Sequence, residues 1–162
     1  MKSSQQWVNV KNMKKIYDFL EKYSSSLLRY GMSAVILWFS FAQFANATEF
    51  SAYIPTFATS MTNLSATTLV YINACFEFVF GTLLVFGWQT RFVSFLLAVH
   101  MFDIMYTVGY GEIGVRDMGL AIGIFAVFMN GPDPLCIQHK KKPVESIPVR
   151  NYQYTQQPKR II

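Results

Sequence analysis

Glu77, His100 and Asp103 lie inside long apolar runs of the chain, where a charged or titratable side chain is expensive to keep and needs a reason. Glu77 falls in the run 68–88; His100 and Asp103 fall in the run 91–110. The break at Gln89-Thr90 is short enough to join two helices as a hairpin, in which residues whose numbers sum to about 179 lie at one level. On that register Glu77 meets Phe102 and Asp103, with His100 less than one turn away. Asn73 shares the Glu77 stripe, and Thr107 shares that of His100 and Asp103. Gln43, late in an earlier run, and Arg116-Asp117, opening a later one, fall at or slightly above the same depth. Two carboxylates beside an imidazole can hold and pass protons, or hydrogen-bond a polar headgroup arriving from lipid. The same groups can instead pin helices together, by interhelical hydrogen bonds of about 0.6–2 kcal/mol each and by a Glu77–Arg116 or Asp103–Arg116 ion pair. Two acids and a histidine are an expensive way to glue helices, which favours a site. Residue by residue, the packing role stays open.

The elements that must position these groups follow from composition. Of 162 residues, 52% are hydrophobic, 17% aromatic and only 14% charged, against roughly 25% charged in a soluble domain. Four apolar runs stand out, at 27–45, 68–88, 91–110 and about 115–129. Each approaches the ~20 residues that a helix rising ~1.5 Å per residue needs to cross ~30 Å of hydrocarbon. The fourth is short and draws on Gly114 and Asn130 to complete its span. A soluble bundle would need polar faces to cover four such helices, and the chain has none to spare. The expected fold is all-α: an integral membrane four-helix bundle. Counting from the outer helix ends puts Glu77 and Asp103 ~10–14 Å deep.

Charge sets the expected orientation. All but one of the 14 Lys and Arg lie in the amino-terminal arm, in the tail after the fourth run, or at Arg91; Arg116 is the exception. The positive-inside rule therefore places both termini in the cytoplasm of a multi-pass cell-membrane protein. The excess of basic residues makes no groove-sized patch, so nucleic acid is not an expected partner. Met13, Ile16, Tyr17, Leu20 and Tyr23 recur at three- and four-residue steps among Lys14, Lys15 and Lys22. That pattern predicts an amphipathic interfacial helix, lying on anionic lipid or on a partner. The first apolar run begins too late and is too long for a cleavable signal peptide. The expected domains are a cytoplasmic arm (1–26), the four-span unit (27–135) and a basic, largely extended tail (136–162). The long connector from Asn46 to Thr67 lacks Lys and Arg and can fold over the outer face as a cap. It holds two glycosylation triplets, at Asn46 and Asn63.

Several chemistries lack their residues. Cys75 and Cys136 belong to different levels and cannot pair, and there is no CxxC. The second histidine, His139, stands in the tail, so no bis-histidine haem site forms within the spans. The chain is expected to carry no metal and no covalently bound cofactor. Gly119 and Gly123 are spaced for close helix packing in the fourth span.

The stretch Asn73-Ala-Cys-Phe-Glu77-Phe-Val-Phe-Gly81-Thr-Leu-Leu-Val-Phe-Gly87-Trp-Gln-Thr-Arg91 resembles the E-xxx-G-xxLLxxG-xxTR signature of the DoxX family. Arg116-Asp117 resembles that family's RD, and Arg29-Tyr30-Gly31 its opening Arg and Gly. Where the family often has Lys at the end of its first span, this chain has Gln43. The resemblance marks Glu77, Arg91, Arg116 and Asp117, and is silent on His100 and Asp103. It implies a small four-span membrane subunit without cofactors of its own, in a group that includes the quinone-facing DoxD subunit of thiosulfate:quinone oxidoreductase. The expected function is that of an accessory subunit of a quinone-linked oxidoreductase or respiratory complex. Its partners would be membrane lipids and the other subunits, and quinone would be its ligand. The alternative is a structural or assembly subunit, chaperone-like, with no ligand chemistry.

Overall fold

The computed structural model describes residues 4–137, with side chains from Met13 onward. Every regular element among them is helical: α1 (Ser4–Ala45), α2 (Ala47–Phe50), a 3₁₀ turn (Ser51–Tyr53), α3 (Thr56–Thr62), α4 (Ala66–Phe86), α5 (Thr90–Val108) and α6 (Glu112–Asn130). Three of them are long and apolar enough to cross a membrane: α1 from Met13, α4 and α5. The lys-rich tail residues Lys140, Lys141 and Lys142, and His139, lie outside the described residues, as do Lys2 and the rest of the expected extended tail.

Helix boundaries follow local chemistry. Ser65 Oγ accepts the Thr68 N–H at 3.1 Å and caps the start of α4. At its other end Gly87 adopts φ +66°, while Trp88 N–H donates to Leu83 O and Gly87 N–H to Leu84 O, each at 3.1 Å. This pair of bonds is the Schellman arrangement, and the left-handed position favours glycine. A second left-handed residue, Gln89 at φ 50°, then turns the chain into α5.

The four long helices form two close pairs, α1 along α4 and α5 along α6, which touch one another less extensively. Ser40 Oγ donates to Ala74 O at 2.9 Å across the first pair. The shared core holds Ile36, Leu84, Leu97, Ala121 and Ile124 together with small polar residues such as Ser33, Thr90 and Ser94. Large apolar side chains point outward instead, among them Leu27, Trp38, Ile72, Phe92, Ile122 and Phe125. Apolar exteriors around small or polar interiors suit helices solvated by lipid.

Three expectations differ from what forms. The amphipathic segment is no separate helix: α1 runs 42 residues without interruption through the boundary expected at 26 and 27. Nothing there stops it, since no Gly or Pro falls between Tyr17 and Tyr30. The last helix starts three residues earlier than expected, at Glu112, after Gly111. Gly119 has open space around it, and only Gly123 meets a neighbour, with the Met32 sulfur 2.7 Å from where a Cβ would sit.

Candidate functional site

Glu77 is the centre of the polar group at one end of the bundle. It is 2% exposed on the inner face of α4. Gln43 Nε2, from α1, donates to its Oε2 at 2.7 Å, and Asn73 Nδ2, one turn earlier on α4, donates to its Oε1 at 3.0 Å. Asn73 also donates to Gln43 Oε1 at 2.8 Å, closing a triangle of side chains across the α1–α4 contact. The i, i+4 spacing of Asn73 and Glu77 puts both on one stripe, and Ser40–Ala74 below fixes the register.

His100, from α5, brings Nε2 to 3.5 Å from Glu77 Oε1, beyond a good hydrogen bond. Its ring packs against Phe76, centroids 4.6 Å apart. His100 Nε2 is buried and has no hydrogen-bond partner among the described residues. A buried ring nitrogen facing a carboxylate, without a full bond to it, leaves hydrogen-bonding capacity directed at the space between them.

These groups open onto a cavity of about 570 Å³ between the two helix pairs. Gln43, Asn73, Glu77, His100, Asp103, Arg116 and Asp117 all line it. The 46–67 connector forms its lid: Glu49, Phe50, Tyr53 and Phe57, from α2, the 3₁₀ turn and α3, complete the wall. Asp103 contributes a carboxylate with no ion-pair or hydrogen-bond partner among the described residues, although it is exposed.

Arg116 pairs neither with Glu77 nor with Asp103. Its Nε bonds Asp117 Oδ1 at 2.8 Å, and its guanidinium lies 4.4 Å over the Phe39 ring. The neighbouring carboxylate and the aromatic face hold it at the cavity rim, 45% exposed, while Asp117 is buried. The expected interhelical ion pairs therefore give way to a local one.

A second polar cluster, at the opposite end of the bundle, was not anticipated as a site. Arg29 is fully buried, and its Nε bonds Asp133 Oδ2 at 2.6 Å. Its Nη1 donates to Leu84 O at 2.7 Å and to Val85 O, so it caps the last turn of α4 from the side, sharing the Leu84 carbonyl with Gly87 N–H. Ser26 Oγ donates to Asp133 Oδ1 at 2.6 Å, and Leu135 N–H to the same oxygen at 2.9 Å. Burial opposes the charged form of Asp133, but these bonds from Arg29, Ser26 and Leu135 outweigh it and lower its pKa to about 2. Cys136 is buried beside this pair, 3.3 Å from Thr90 Oγ1, and it fills the space beside Gly87. Of this cluster only Arg29 had a sequence signal, as the Arg of the resemblance. Asp133, set between two prolines and 104 residues away from Arg29, had none.

A lipid-facing helical bundle with a lidded polar cavity defines a class of membrane protein, and the sequence narrows it further. Residues 25–110 match the DoxX family model, just over half of the chain, and the chain belongs to the DoxX family. The match runs from the middle of α1 through α5, so Gln43, Asn73, Glu77, His100 and Asp103 lie within it, and Arg116-Asp117 beyond it. No curated protein and no solved structure matches the chain.

Within the matched signature, the residues divide by task. Gly81 lets α1 close in, with Ile36 Cγ2 3.1 Å from the place of a Cβ. Leu84 is core, Gly87 and Thr90 build the turn, and Arg91 lies against Gly131. Glu77 alone of these faces the cavity.

Proposed function

We propose that this protein is an accessory membrane subunit of a quinone-linked oxidoreductase or respiratory complex, and that the lidded cavity receives the headgroup of a quinone-class lipid. The reading takes the chain to cross the membrane four times, α6 supplying the fourth span, with both termini cytoplasmic. Supporting that orientation, Lys14, Lys15, Lys22, Arg29 and Arg91 cluster toward the end opposite the lid, while among the described Lys and Arg side chains Arg116 alone lines the cavity beneath it. The 19 residues of α6 are about enough for a span, and its outer face carries Met118, Ile122, Phe125 and Met129. Membrane lipids and the other subunits of the complex are its partners.

One observation carries the ligand reading: the buried, unpartnered His100 Nε2 set 3.5 Å from the Glu77 carboxylate on the wall of the cavity. The lining suits a ring with polar oxygens, since His100, Thr107, Tyr53 and Arg116 offer polar hydrogens beside the carboxylates of Glu77 and Asp103, and Phe39, Ile36 and Leu69 supply apolar wall. When bound, a quinone supplies two-electron, two-proton chemistry, with electrons coming from a partner's cofactor. His100 hydrogen-bonds the headgroup, Glu77 stores or returns the proton, and Gln43 and Asn73 hold Glu77 in place.

A second reading is favoured by the Gln43–Asn73–Glu77 triangle itself, which ties α1 to α4 as a packing device would. It makes the chain a structural or assembly subunit, chaperone-like, with no ligand chemistry. The test separates the two. Under the site reading, Glu77→Gln and His100→Ala lower quinone-analogue binding at least tenfold and reduce turnover per assembled complex. Purified protein that binds no analogue, with variants that lower only yield or thermal stability, defeats the site reading and leaves the packing one.

A further inference from the structure

We propose that the arm of α1 before Ser26 is a self-association surface, through which two copies of this chain pair as a parallel coiled coil. The surface is separate from the lidded cavity, and the pairing stands whatever the cavity binds.

The arm divides into two faces. At roughly 100° per residue, Met13, Ile16, Tyr17, Phe19, Leu20 and Tyr23 cover an arc of about 160°. Lys14, Lys15, Asp18, Glu21 and Lys22 fill about 120° of the other side. All of the first set but Tyr23 are more than half exposed. They leave on the order of 600 Å² of largely apolar surface, the size of the largest patches that monomers carry. Met13, Ile16, Leu20, Tyr23 and Leu27 step by three and four residues, the spacing of a coiled-coil seam.

Lipid does not reach this seam. The first buried residue of α1 among the described side chains is Ser26, which bonds Asp133 at the end of the bundle. Met13 stands ~20 Å further along the rod, beyond a headgroup layer of ~5–8 Å even when the helix tilts. The helix also runs unbroken, so nothing lays the arm flat on the surface. Within the span the same stripe is covered by a helix. It drifts by ~20° per heptad, and at Phe41 and Phe44 it meets Phe78 and Tyr71 of α4, ring centroids 5.6 and 6.4 Å apart. In the arm no helix covers it among the described residues.

A second copy suits the seam better than a foreign helix. Copies inserted in one direction hold their arms parallel and at one height, so like heptad positions meet without any adjustment of register. Charges flanking a seam select foreign partners and repel identical ones. Here the flanks hold Tyr17, Phe19 and Ser24, and the five charged residues all take outward positions.

The test places single cysteines in the full chain, in a Cys75→Ser background because Cys75 is exposed, and oxidises isolated membranes mildly with copper phenanthroline. Ile16→Cys and Leu20→Cys should form disulfide-linked dimers at least tenfold faster than Asp18→Cys and Glu21→Cys. Sedimentation of the purified chain in mild detergent should show a dimer, and Leu20→Asp should weaken it at least tenfold. Leu20 is exposed and lies outside the bundle, so the melting temperature of that variant should match the wild type and separate lost pairing from lost folding. Crosslinking without helical periodicity, or a dimer that Leu20→Asp leaves unchanged, overturns the proposal. So does a monomer, whether its seam cysteines are shielded by lipid or crosslink only to another protein.

Discussion

Asp133→Ala tests how the bundle is closed at the end away from the lid. Asp133 is 4% exposed and Arg29 is fully buried, so removing the carboxylate strands a guanidinium with no anionic partner, left to the Leu84 and Val85 carbonyls and the face of Tyr30. Breaking a buried ion pair from one side destabilises by about 3–5 kcal/mol. Ser26 and Leu135 lose their acceptor as well. The pH dependence follows from the carboxyl's pKa, which the fold lowers from 3.8 to about 2. At 1.36 kcal/mol for each pH unit, the difference stabilises the native state by roughly 2 kcal/mol. A depressed carboxyl contributes in full above pH 4 or so, and the contribution disappears as pH falls toward 2. Unfolding in mild detergent, followed by tryptophan fluorescence between pH 6 and 2, measures both effects. The gap between the wild-type protein and Asp133→Ala should be widest near neutrality and shrink by roughly 2 kcal/mol on acidification. A gap that stays constant from pH 6 to 2, or a loss at pH 6 under about 1 kcal/mol, would falsify the account of Arg29 and Asp133 as a buried, mutually dependent pair.

Three further outcomes follow from close contacts. Gly87→Ala places a Cβ 2.5 Å from Cys136 Sγ and 2.8 Å from Cys136 Cα at φ +66°, so thermal stability should drop by about 1–3 kcal/mol; adding Cys136→Ala should recover little of it, because the contact with the Cys136 backbone and the left-handed φ both remain. Gly123→Leu collides with Met32 and should cost about 1–3 kcal/mol, whereas Gly119→Leu, with open space around it, should stay within about 0.5 kcal/mol in the same melts. Gln43→Leu removes one of two donors to the buried Glu77 carboxylate and should lower stability by about 1–3 kcal/mol; a neutral result shows that Gln43 does not hold the acid.

Much of the fold could be read from the run lengths. Four apolar stretches became four long helices, and the Gln89-Thr90 break became a tight turn between α4 and α5. The grouping of the polar residues was legible because helical period and hairpin register are simple arithmetic: Glu77 and His100 do face each other. Side-chain pairing was not legible. Arg116 reached its own neighbour, Asp117, because a contact one residue away needs no helix to be placed correctly. Asp133 stayed hidden because its role depends on the end of α6 returning toward the middle of α1, a closure that no periodicity encodes. The continuity of α1 was missed for the opposite reason: a change from amphipathic to apolar pattern alters what surrounds a helix without interrupting its backbone hydrogen bonds.

That continuity has a mechanical side. At ~1.5 Å per residue, α1 measures roughly 63 Å, about twice the hydrocarbon thickness, so much of its first half stands outside the oily layer. Gln43 and Phe39 ride near one tip of this rod and Lys14 and Lys15 near the other. With no joint between them, a tilt or twist imposed on the basic tip by whatever grips it is felt directly at the wall that holds Glu77.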